Sequence, residues 1–226
     1  MNKINFTFLL FVTMLCNSSC NSQTKFDAMQ CDEKGIKSAE FINEYFFSDE
    51  TNKSFLDSAQ YYLDDVVANC YGWKYYQNMV LRKLDVLSLQ RKYGQALSII
   101  DTIDWEIQPP YFLSVLKKRF EAMQLLFNGD TSGCNDVIKS ITTEVEGFLA
   151  SQKREVDSVL KLQEEDAFTS PLWYSISQYY YYKFKLCTSQ EIEDNLMFLE
   201  KSGVTKDIID WLKPKKDDNF LNYEEG

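Results

Sequence analysis

Apolar residues recur along the chain with the spacing of one helix face, and three segments repeat the same arrangement. In each segment a small residue is followed by large apolar residues four and seven positions later, which is the pattern of an amphipathic α-helix. Each segment therefore predicts a helix with one buried face. The three sets are Ala59, Leu63 and Val66; Ala96, Ile100 and Ile103; and Cys134, Ile138 and Ile141.

The three predicted helices recur at a nearly constant interval. Ala59 and Ala96 are 37 positions apart, and Ala96 and Cys134 are 38 positions apart. A period in this range is typical of stacked helical hairpins, because one hairpin cannot bury its apolar face alone. No alternation of apolar and polar residues between turn signals predicts a strand pair. The predicted fold is therefore all-α, with antiparallel helical hairpins stacked as a short α-solenoid.

The last part of the predicted domain departs from this period. The apolar pattern of the helix that contains Cys134 either continues to Leu160 or breaks near Ser151. Residues 172–184 predict a further helix, and residues 192–199 predict its companion. The companion pattern begins at Ile192, 58 positions after Cys134, which is about 20 more than the period allows. This last hairpin is therefore either a degenerate repeat after an insertion or a capping hairpin.

The N-terminal residues have the order of a secretory signal. Lys3 precedes an almost wholly apolar run from Ile4 to Leu15, and that run is too short to span a bilayer. Because Cys16 and Cys20 follow closely, the segment resembles the signal of a bacterial lipoprotein, in which a cysteine becomes the lipidated first residue. Cys20 is the predicted lipidation site. Lipidation of Cys16 and ordinary secretion without a lipid are the alternatives.

These features divide the chain into four predicted segments. Residues 1–19 form the signal peptide, residues 20–35 a flexible tether, residues 36–213 the helical-repeat domain and residues 214–226 a charged tail. A lipid on the first residue would hold the domain at a membrane without spanning it. The predicted location is outside the cytoplasm, on the outer membrane, with its periplasmic or surface face left open.

Charge and composition exclude several function classes. The chain carries a net charge of −10 and contains no histidine. Removal of residues 1–19 takes away Lys3 and no acid, so the mature charge is −11. An acidic surface repels phosphate backbones, so nucleic acid is not a predicted partner. Without histidine, Ser-His-Asp and Cys-His catalysis are excluded, and the commonest zinc ligand is missing.

Acidic clusters are the remaining candidates for chemistry. They are Asp64-Asp65, Glu164-Glu165-Asp166 and Glu224-Glu225. Neighbouring residues on a helix point about 100° apart, so these carboxylates do not form facing pairs. No phosphate-binding or dinucleotide-binding glycine motif occurs. We therefore predict a protein that is not an enzyme, with no catalytic residue, metal site or cofactor, and we interpret the acidic clusters as solvated surface.

Four cysteines remain after the predicted lipidation site. They are Cys31, Cys70, Cys134 and Cys187, and an exported protein can oxidise them. Four cysteines allow three pairings, between which the sequence does not choose. Cys134 occupies the small-residue position of the repeat, which favours a packed free thiol. Cys31–Cys70 is the pairing to test first.

The hairpins resemble tetratricopeptide repeats. In that family a small residue opens the second helix of each unit, as Ala96 does here, with Pro109 near the family's terminal proline. Tyr93 stands where the family often has an aromatic residue, and Gly129 stands at its turn glycine. The family's tryptophan, leucine-glycine and tyrosine signature in the first helix is largely missing. The resemblance covers about residues 36–145, or up to residue 202 if the last hairpin belongs to it.

The resemblance implies a binding groove lined by the first helix of each hairpin, where the family binds peptides or proteins. Core packing is the alternative role for Met123, Phe127 and the tyrosines. The implied partner-binding positions are Asn78, Asp85 and Ser88; Arg119, Met123 and Phe127; and Tyr174 and Tyr181.

The predicted function follows from these expectations. We expect a lipid-anchored cell-envelope protein that binds or scaffolds a protein or peptide partner through the helical-repeat groove. The alternative is a glycan- or nutrient-binding lipoprotein that uses exposed aromatic residues, namely Trp173, Tyr174 and Tyr181. Tyrosine suits either role because it buries a large area at a low cost in conformational entropy.

Overall fold

The computed structural model describes residues 27–48, 50, 52–102 and 111–214. Eleven helices and no strand occur within these ranges. The predicted all-α fold of packed helical hairpins is thereby confirmed. The predicted signal peptide, Cys16, Cys20, Ile103, Pro109 and all but the first residue of the predicted tail lie outside the described residues. The helices are α1 (Ala28–Phe47), α2 (Ser54–Asn69), α3 (Tyr76–Leu89), α4 (Tyr93–Thr102), α5 (Phe112–Phe127), α6 (Thr131–Ser151), α7 (Lys153–Val159), α8 (Glu164–Thr169), α9 (Trp173–Lys185), α10 (Ser189–Lys201) and α11 (Lys206–Leu212).

The chain forms two compact units, Met1–Pro110 and Tyr111–Gly226, and each is described by itself. In the first unit α1 packs on α2, α2 on α3 and α3 on α4. In the second unit α5 packs on α6, and α6 also packs on α9. The helices from α1 to α6 thus pair as three hairpins, α1–α2, α3–α4 and α5–α6.

The repeated small residues lie on the buried face of the second helix of each hairpin. Ala59 on α2 and Ala96 on α4 are fully buried, and Cys134 on α6 is 1 % exposed. The apolar residues four and seven positions after Ala59 and Cys134 are also buried, as is Ile100. A small side chain at this position lets the first helix approach closely, while the larger residues fill the space between the helices. The spacing in the sequence therefore marked the buried faces correctly.

Helix α1 begins earlier than the sequence predicts. Residues 28–35 were expected in the flexible tether, but they form the first two turns of α1. The Asp27 side chain caps the helix by accepting hydrogen bonds from the backbone N–H groups of Met29 and Gln30. Gly35 is buried, and a Cβ atom there would lie 3.2 Å from the Trp73 ring. The apolar pattern did not indicate this part of the helix, because its buried residues, Cys31 and Gly35, are small and the others are mostly polar.

A disulfide joins the two ends of the first hairpin. Cys31 near the start of α1 is bonded to Cys70 at the end of α2, with a Cα–Cα distance of 6.1 Å. The link requires α1 and α2 to run antiparallel. Cys134 is a buried free thiol and Cys187 a half-buried one. The pairing that was to be tested first is the one that the structure contains.

The second unit departs from a regular repeat after α6. The helix breaks at Gln152, where φ is −123° and ψ is 32°, so the prediction of a break near Ser151 holds and one continuous helix to Leu160 does not form. The predicted hairpin of α9 and α10 does not follow the packing of the earlier ones. Helix α9 packs on α6, α8 and α11, whereas α10 packs on α11, and Leu199 is the residue that α10 buries.

Candidate functional site

The second unit contains a small apolar depression between α6, α7 and α9, which we call the α6–α9 hollow. Its volume is about 220 Å³. This is smaller than the 300–1,000 Å³ or so that is usual for small-molecule sites, so its size suits one large side chain. The lining residues are Glu146, Leu149, Ala150, Lys153, Val156, Ile176, Tyr179 and Tyr180.

The break at Gln152 shapes the wall of the hollow. Glu146, Leu149 and Ala150 are spaced three and four positions apart and therefore share one face of α6. After the break, α7 contributes Lys153 and Val156 from a new direction. Because the chain turns here, the two helices form a concave surface where one straight helix would be convex.

A buried hydrogen bond positions α9 at the other side of the hollow. The Tyr111 hydroxyl donates to Oγ of Ser175 at 2.5 Å, and both side chains are buried. The Tyr111 ring also lies 5.0 Å from the ring of Phe148 on α6, measured between centroids. Burial raises the pKa of Tyr111 to about 12, although the hydrogen bond with Ser175 opposes this rise. Tyr111 thus contacts both helices and places Ile176, the neighbour of Ser175, in the hollow.

The rim of the hollow carries two protonated phenols and one carboxylate. The Tyr179 hydroxyl donates to Oε1 of Glu146 at 3.3 Å. Burial, and after it the charge of Glu146, raises the pKa of Tyr179 well above its ordinary value. Burial likewise raises the pKa of Tyr180 to about 12. Both phenols therefore stay neutral hydrogen-bond donors at physiological pH.

Cations are placed beside these rings. The Lys183 ammonium lies 5.4 Å from the centroid of the Tyr179 ring and 6.0 Å from that of Tyr180, within cation–π range. Lys153 adds a second positive charge and Glu146 a negative one. The floor is apolar, made by Leu149 and Val156 with the fully buried Ile176 beside them, while the charges at the rim are mixed. This arrangement favours burial of a large neutral side chain whose edge can accept a hydrogen bond from a phenol.

The predicted binding tyrosines lie on the other side of α9. Tyr174 and Tyr181 are seven positions apart and share one face, whereas Ile176 and Tyr180 lie on the opposite face at about 3.6 residues per turn. Tyr174 is half-buried, with its ring 5.8 Å from that of Phe112. Tyr181 is also half-buried and has the Lys185 ammonium 5.0 Å from its ring centroid. The structure does not bring either of them to the hollow.

The predicted positions on α5 divide between core and surface. Met123 is 4 % exposed, which leaves little of its side chain for a partner and supports its alternative role in core packing. Phe127 is 55 % exposed at the end of α5. Arg119 is half-buried, and its charge acts on the buried Tyr182 hydroxyl. Partner binding by Arg119 and Phe127 stays a prediction.

The remaining predicted positions belong to the first unit. Asn78, Asp85 and Ser88 are half-buried on α3. Burial lowers the pKa of the Arg82 guanidinium, and the charge of Asp85 opposes this, so the two side chains are electrostatically coupled. Partner binding by the three α3 residues also stays a prediction.

The aromatic residues considered for glycan binding are only partly accessible. Trp173 is 5 % exposed. Its ring centroid lies 4.8 Å from that of Phe168 and 5.0 Å from that of Trp211. Rings at these distances are in contact and leave no room for a sugar between them. Trp173 is therefore a core residue, and the predicted glycan surface is reduced to Tyr174 and Tyr181.

Sequence reasoning missed the residues that line the hollow. Tyr179 and Tyr180 lie within the helix predicted over residues 172–184, but their side of that helix was not assigned. Ile176 and Tyr180 are four positions apart, and a four-residue step cannot distinguish a filled core from a partly open one. The relevant signal was the break after Ser151, which moves α7 away from the line of α6.

Searches for a membrane span and a metal site in the part of the chain that the structure describes, and for similar proteins, give no match. Among the described residues, no helix is both long and apolar enough to cross a membrane. The same residues contain no cluster of three or more acidic, cysteine or histidine side chains that could hold a metal ion. Comparison with protein-family models, with curated proteins and with solved structures finds no match to this chain.

Proposed function

We propose that this chain is an exported, lipid-anchored helical-hairpin protein that binds a protein partner of the cell envelope through the α6–α9 hollow. The observation that carries the proposal is the hollow itself, because an apolar floor with a tyrosine rim can bury one large side chain of a partner. Such a side chain would act as an anchor, since buried aromatic and apolar anchors supply most of the energy at protein interfaces. No cofactor or nucleic acid is part of the proposal.

Two observations support the envelope location and the repeat character. The Cys31–Cys70 disulfide fits an oxidising compartment, which agrees with the predicted signal peptide and the lipid on Cys20. The buried small residues of α2, α4 and α6 agree with a tetratricopeptide-like packing of the first three hairpins. Rigid hairpins would hold the hollow in its binding shape before a partner arrives, which lowers the entropic cost of association.

A variant that fills the hollow tests the proposal. Ala150 lines the hollow and is itself exposed, so Ala150→Trp places an indole in the space without cutting into the core. Ser140→Trp is the matched control, because Ser140 is exposed on the same helix and does not line the hollow. A photo-crosslinking amino acid at Tyr179 would capture the partner in intact cells, with identification by mass spectrometry.

We expect one dominant envelope protein among the crosslinked products. The crosslink should be lost in Ala150→Trp and kept in Ser140→Trp, with the same melting temperature for both variants. A crosslink that survives Ala150→Trp at full yield would contradict the proposal, as would the absence of any specific product from the well-expressed parent. If the same probe at Tyr174 or Tyr181 captured the partner instead, the other face of α9 would be the binding surface.

Glycan binding is the alternative function and now depends on Tyr174 and Tyr181. Both side chains are half-buried, so only part of each ring is accessible to a glycan. Titration of the purified protein with soluble glycans, followed by fluorescence, separates the two proposals. Saturable binding that Ala150→Trp leaves unchanged and Tyr181→Ala removes would favour the alternative.

A further inference from the structure

One end of the first unit presents tyrosines to solvent on a short connection. Residues 70–75 join α2 to α3, with the sequence Cys-Tyr-Gly-Trp-Lys-Tyr. Tyr71 is 67 % exposed and Tyr75 is 43 % exposed. Lys74 between them is exposed too, with its ammonium 4.5 Å from the centroid of the Tyr75 ring. The Tyr71 ring packs edge-on against Tyr76 at 5.4 Å and the Tyr75 ring against Trp73 at 5.3 Å between centroids, so both exposed rings have a fixed position on this connection.

Buried contacts with α1 hold the connection in place. Cys70 is 1 % exposed and bonded to Cys31, and Trp73 is 6 % exposed against Gly35 of α1. Gly72 has φ of +85°, a conformation that side chains disfavour, so the turn requires glycine. Because these contacts fix the backbone, Tyr71 and Tyr75 are displayed at little further cost in entropy.

The same end contains the beginning of α1. Cys31 lies within the first turns of α1, and Met29 nearby is 76 % exposed. The pKa of Lys74 is raised by its hydrogen bond with Tyr75 and, to a smaller extent, by the charge of Asp32 on α1. We call the group Met29, Tyr71, Lys74 and Tyr75 the tyrosine end. The chain therefore enters the first unit beside these side chains.

The length of chain before α1 limits how far this end can lie from a lipid on Cys20. Ala28 is eight positions after Cys20, so the two Cα atoms are at most about 28 Å apart even in a fully extended chain. The far end of α1 lies a further 30 Å or so away, because the helix contains 20 residues. A lipid tether at Cys20 would thus keep the tyrosine end close to the membrane.

We propose that the tyrosine end rests in the headgroup region of the membrane to which the lipid on Cys20 holds the protein. Tyrosine rings favour this region because their apolar body enters the lipid while the hydroxyl stays hydrated. The contact is not an electrostatic one with acidic lipids, since the chain carries a net charge of −10 and Asp27 and Asp32 lie at the same end. The inference rests on the proposed lipid anchor and adds an orientation to it.

An artificial anchor tests the orientation separately from natural lipidation. The mature chain, residues 20–226 with Cys187→Ser, is coupled through Cys20 to a maleimide lipid in phosphatidylcholine vesicles. Tyr71→Trp places a fluorescent reporter at the tyrosine end, and phosphatidylcholine with brominated chains quenches reporters that reach the lipid. Phe47→Trp is the matched control, because Phe47 is 85 % exposed at the opposite end of α1. Each variant is compared with the parent to remove the signal of the four native tryptophans.

The added fluorescence of Tyr71→Trp should be largely quenched, and that of Phe47→Trp should be unchanged. Replacing a third of the lipid with an acidic one should not strengthen the quenching. Equal quenching at both ends, or none at Tyr71, would overturn the proposal, and the second result would leave the tyrosines free for a protein partner. The anchor itself is tested by the N-terminal mass of the protein from cells, since loss of a lipid mass in Cys20→Ser supports the anchor whatever the vesicles show.

Discussion

The first unit follows the repeat and the second departs from it, and the hollow lies where the departure begins. In the first unit the hairpins α1–α2 and α3–α4 keep the spacing of Ala59 and Ala96. The second unit starts with the same kind of hairpin, α5–α6, but α7 and α8 intervene before α9 packs on α6. Regular hairpins fill the space between them with their own side chains. A break in the regularity leaves space that a partner can fill.

The two units also differ in what holds them together. The first unit has a covalent link between Cys31, near the start of α1, and Cys70, at the end of α2. In the described part of the second unit the cysteines are free thiols, and a buried hydrogen bond between Tyr111 and Ser175 positions α9. A covalent link acts on the unfolded chain, whereas a buried hydrogen bond acts within the fold and responds to pH. The two units should therefore respond to different perturbations.

Removing the disulfide should have the largest effect, and it should fall on the first unit. The double variant Cys31→Ser, Cys70→Ser releases a loop with a sequence separation of 39. The chain-entropy model assigns about 4 kcal/mol of unfolding free energy to a loop of that length. Hydrogen exchange should show loss of protection in α1 and α2 with little change in α5 and α6.

Cys187→Ser is the matched control, because Cys187 is an unbonded, half-buried thiol. It should leave both units as stable as the parent. Equal loss of protection in both units after disulfide removal would show that the two units unfold together, and the comparison between them would fail.

High pH should destabilise the second unit by a smaller amount. Burial raises the pKa of Tyr111 to about 12 in the fold, from about 10 in the unfolded chain. Between these values the unfolded chain loses the proton and the folded chain keeps it, so stability falls as pH rises. The loss is about 1.4 kcal/mol per pH unit between pH 10 and 12, and none is expected below pH 9. Urea unfolding at pH 9 and pH 11 measures it.

Tyr111→Phe is the control for the pH effect. The variant should be less stable than the parent at pH 9 by about 1–2 kcal/mol, because Ser175 loses its buried partner. Its stability should also change less between pH 9 and pH 11. An unchanged pH dependence in Tyr111→Phe would assign the effect to other groups, such as Tyr180, whose pKa is also raised to about 12.

Ion pairs should contribute least, and equally in the two units. Lys83 on α3 is 2.7 Å from a carboxylate oxygen of Asp64, and Lys118 on α5 is 2.7 Å from one of Glu144. The Asp64 side chain is 49 % exposed, and those of Lys118 and Glu144 are 29 % and 28 % exposed, so solvent reaches both pairs. Lys83→Met and Lys118→Met should each lower the free energy of unfolding by less than about 1 kcal/mol, measured by urea unfolding at low salt. A loss above 2 kcal/mol in one of them would make that pair a distinguishing feature of its unit.

The sequence was a good guide wherever burial is periodic. The small residues Ala59, Ala96 and Cys134 were placed on buried helix faces, because a face repeats every three to four residues and leaves a readable pattern. The start of α1 was missed, because its buried positions are Cys31, Gly35 and Ser38, which carry almost no hydropathy signal. Those positions are small because α1 lies close to its neighbours.

The candidate binding surface was less predictable than the fold. Tyr174 and Tyr181 were chosen by analogy with a regular repeat, and the structure places them away from the hollow. The face of α9 that carries Tyr179 and Tyr180 became a rim only because α9 packs on α6 and because α6 ends at Ser151. The packing of α9 on α6 and the end of α6 both lie outside the sequence of α9, so the spacing of residues in α9 does not predict them.

By itself the sequence determined most of the helices, the pairing of the first three hairpins and the buried faces marked by Ala59, Ala96 and Cys134, because these follow from local hydropathy and turns. The tertiary structure alone decided which cysteines pair, where Met123 and Trp173 are buried, and how α6, α7 and α9 enclose a hollow. These features depend on the distances between segments far apart in the chain. Such distances are set by the packing of all side chains together and not by the pattern of any one helix.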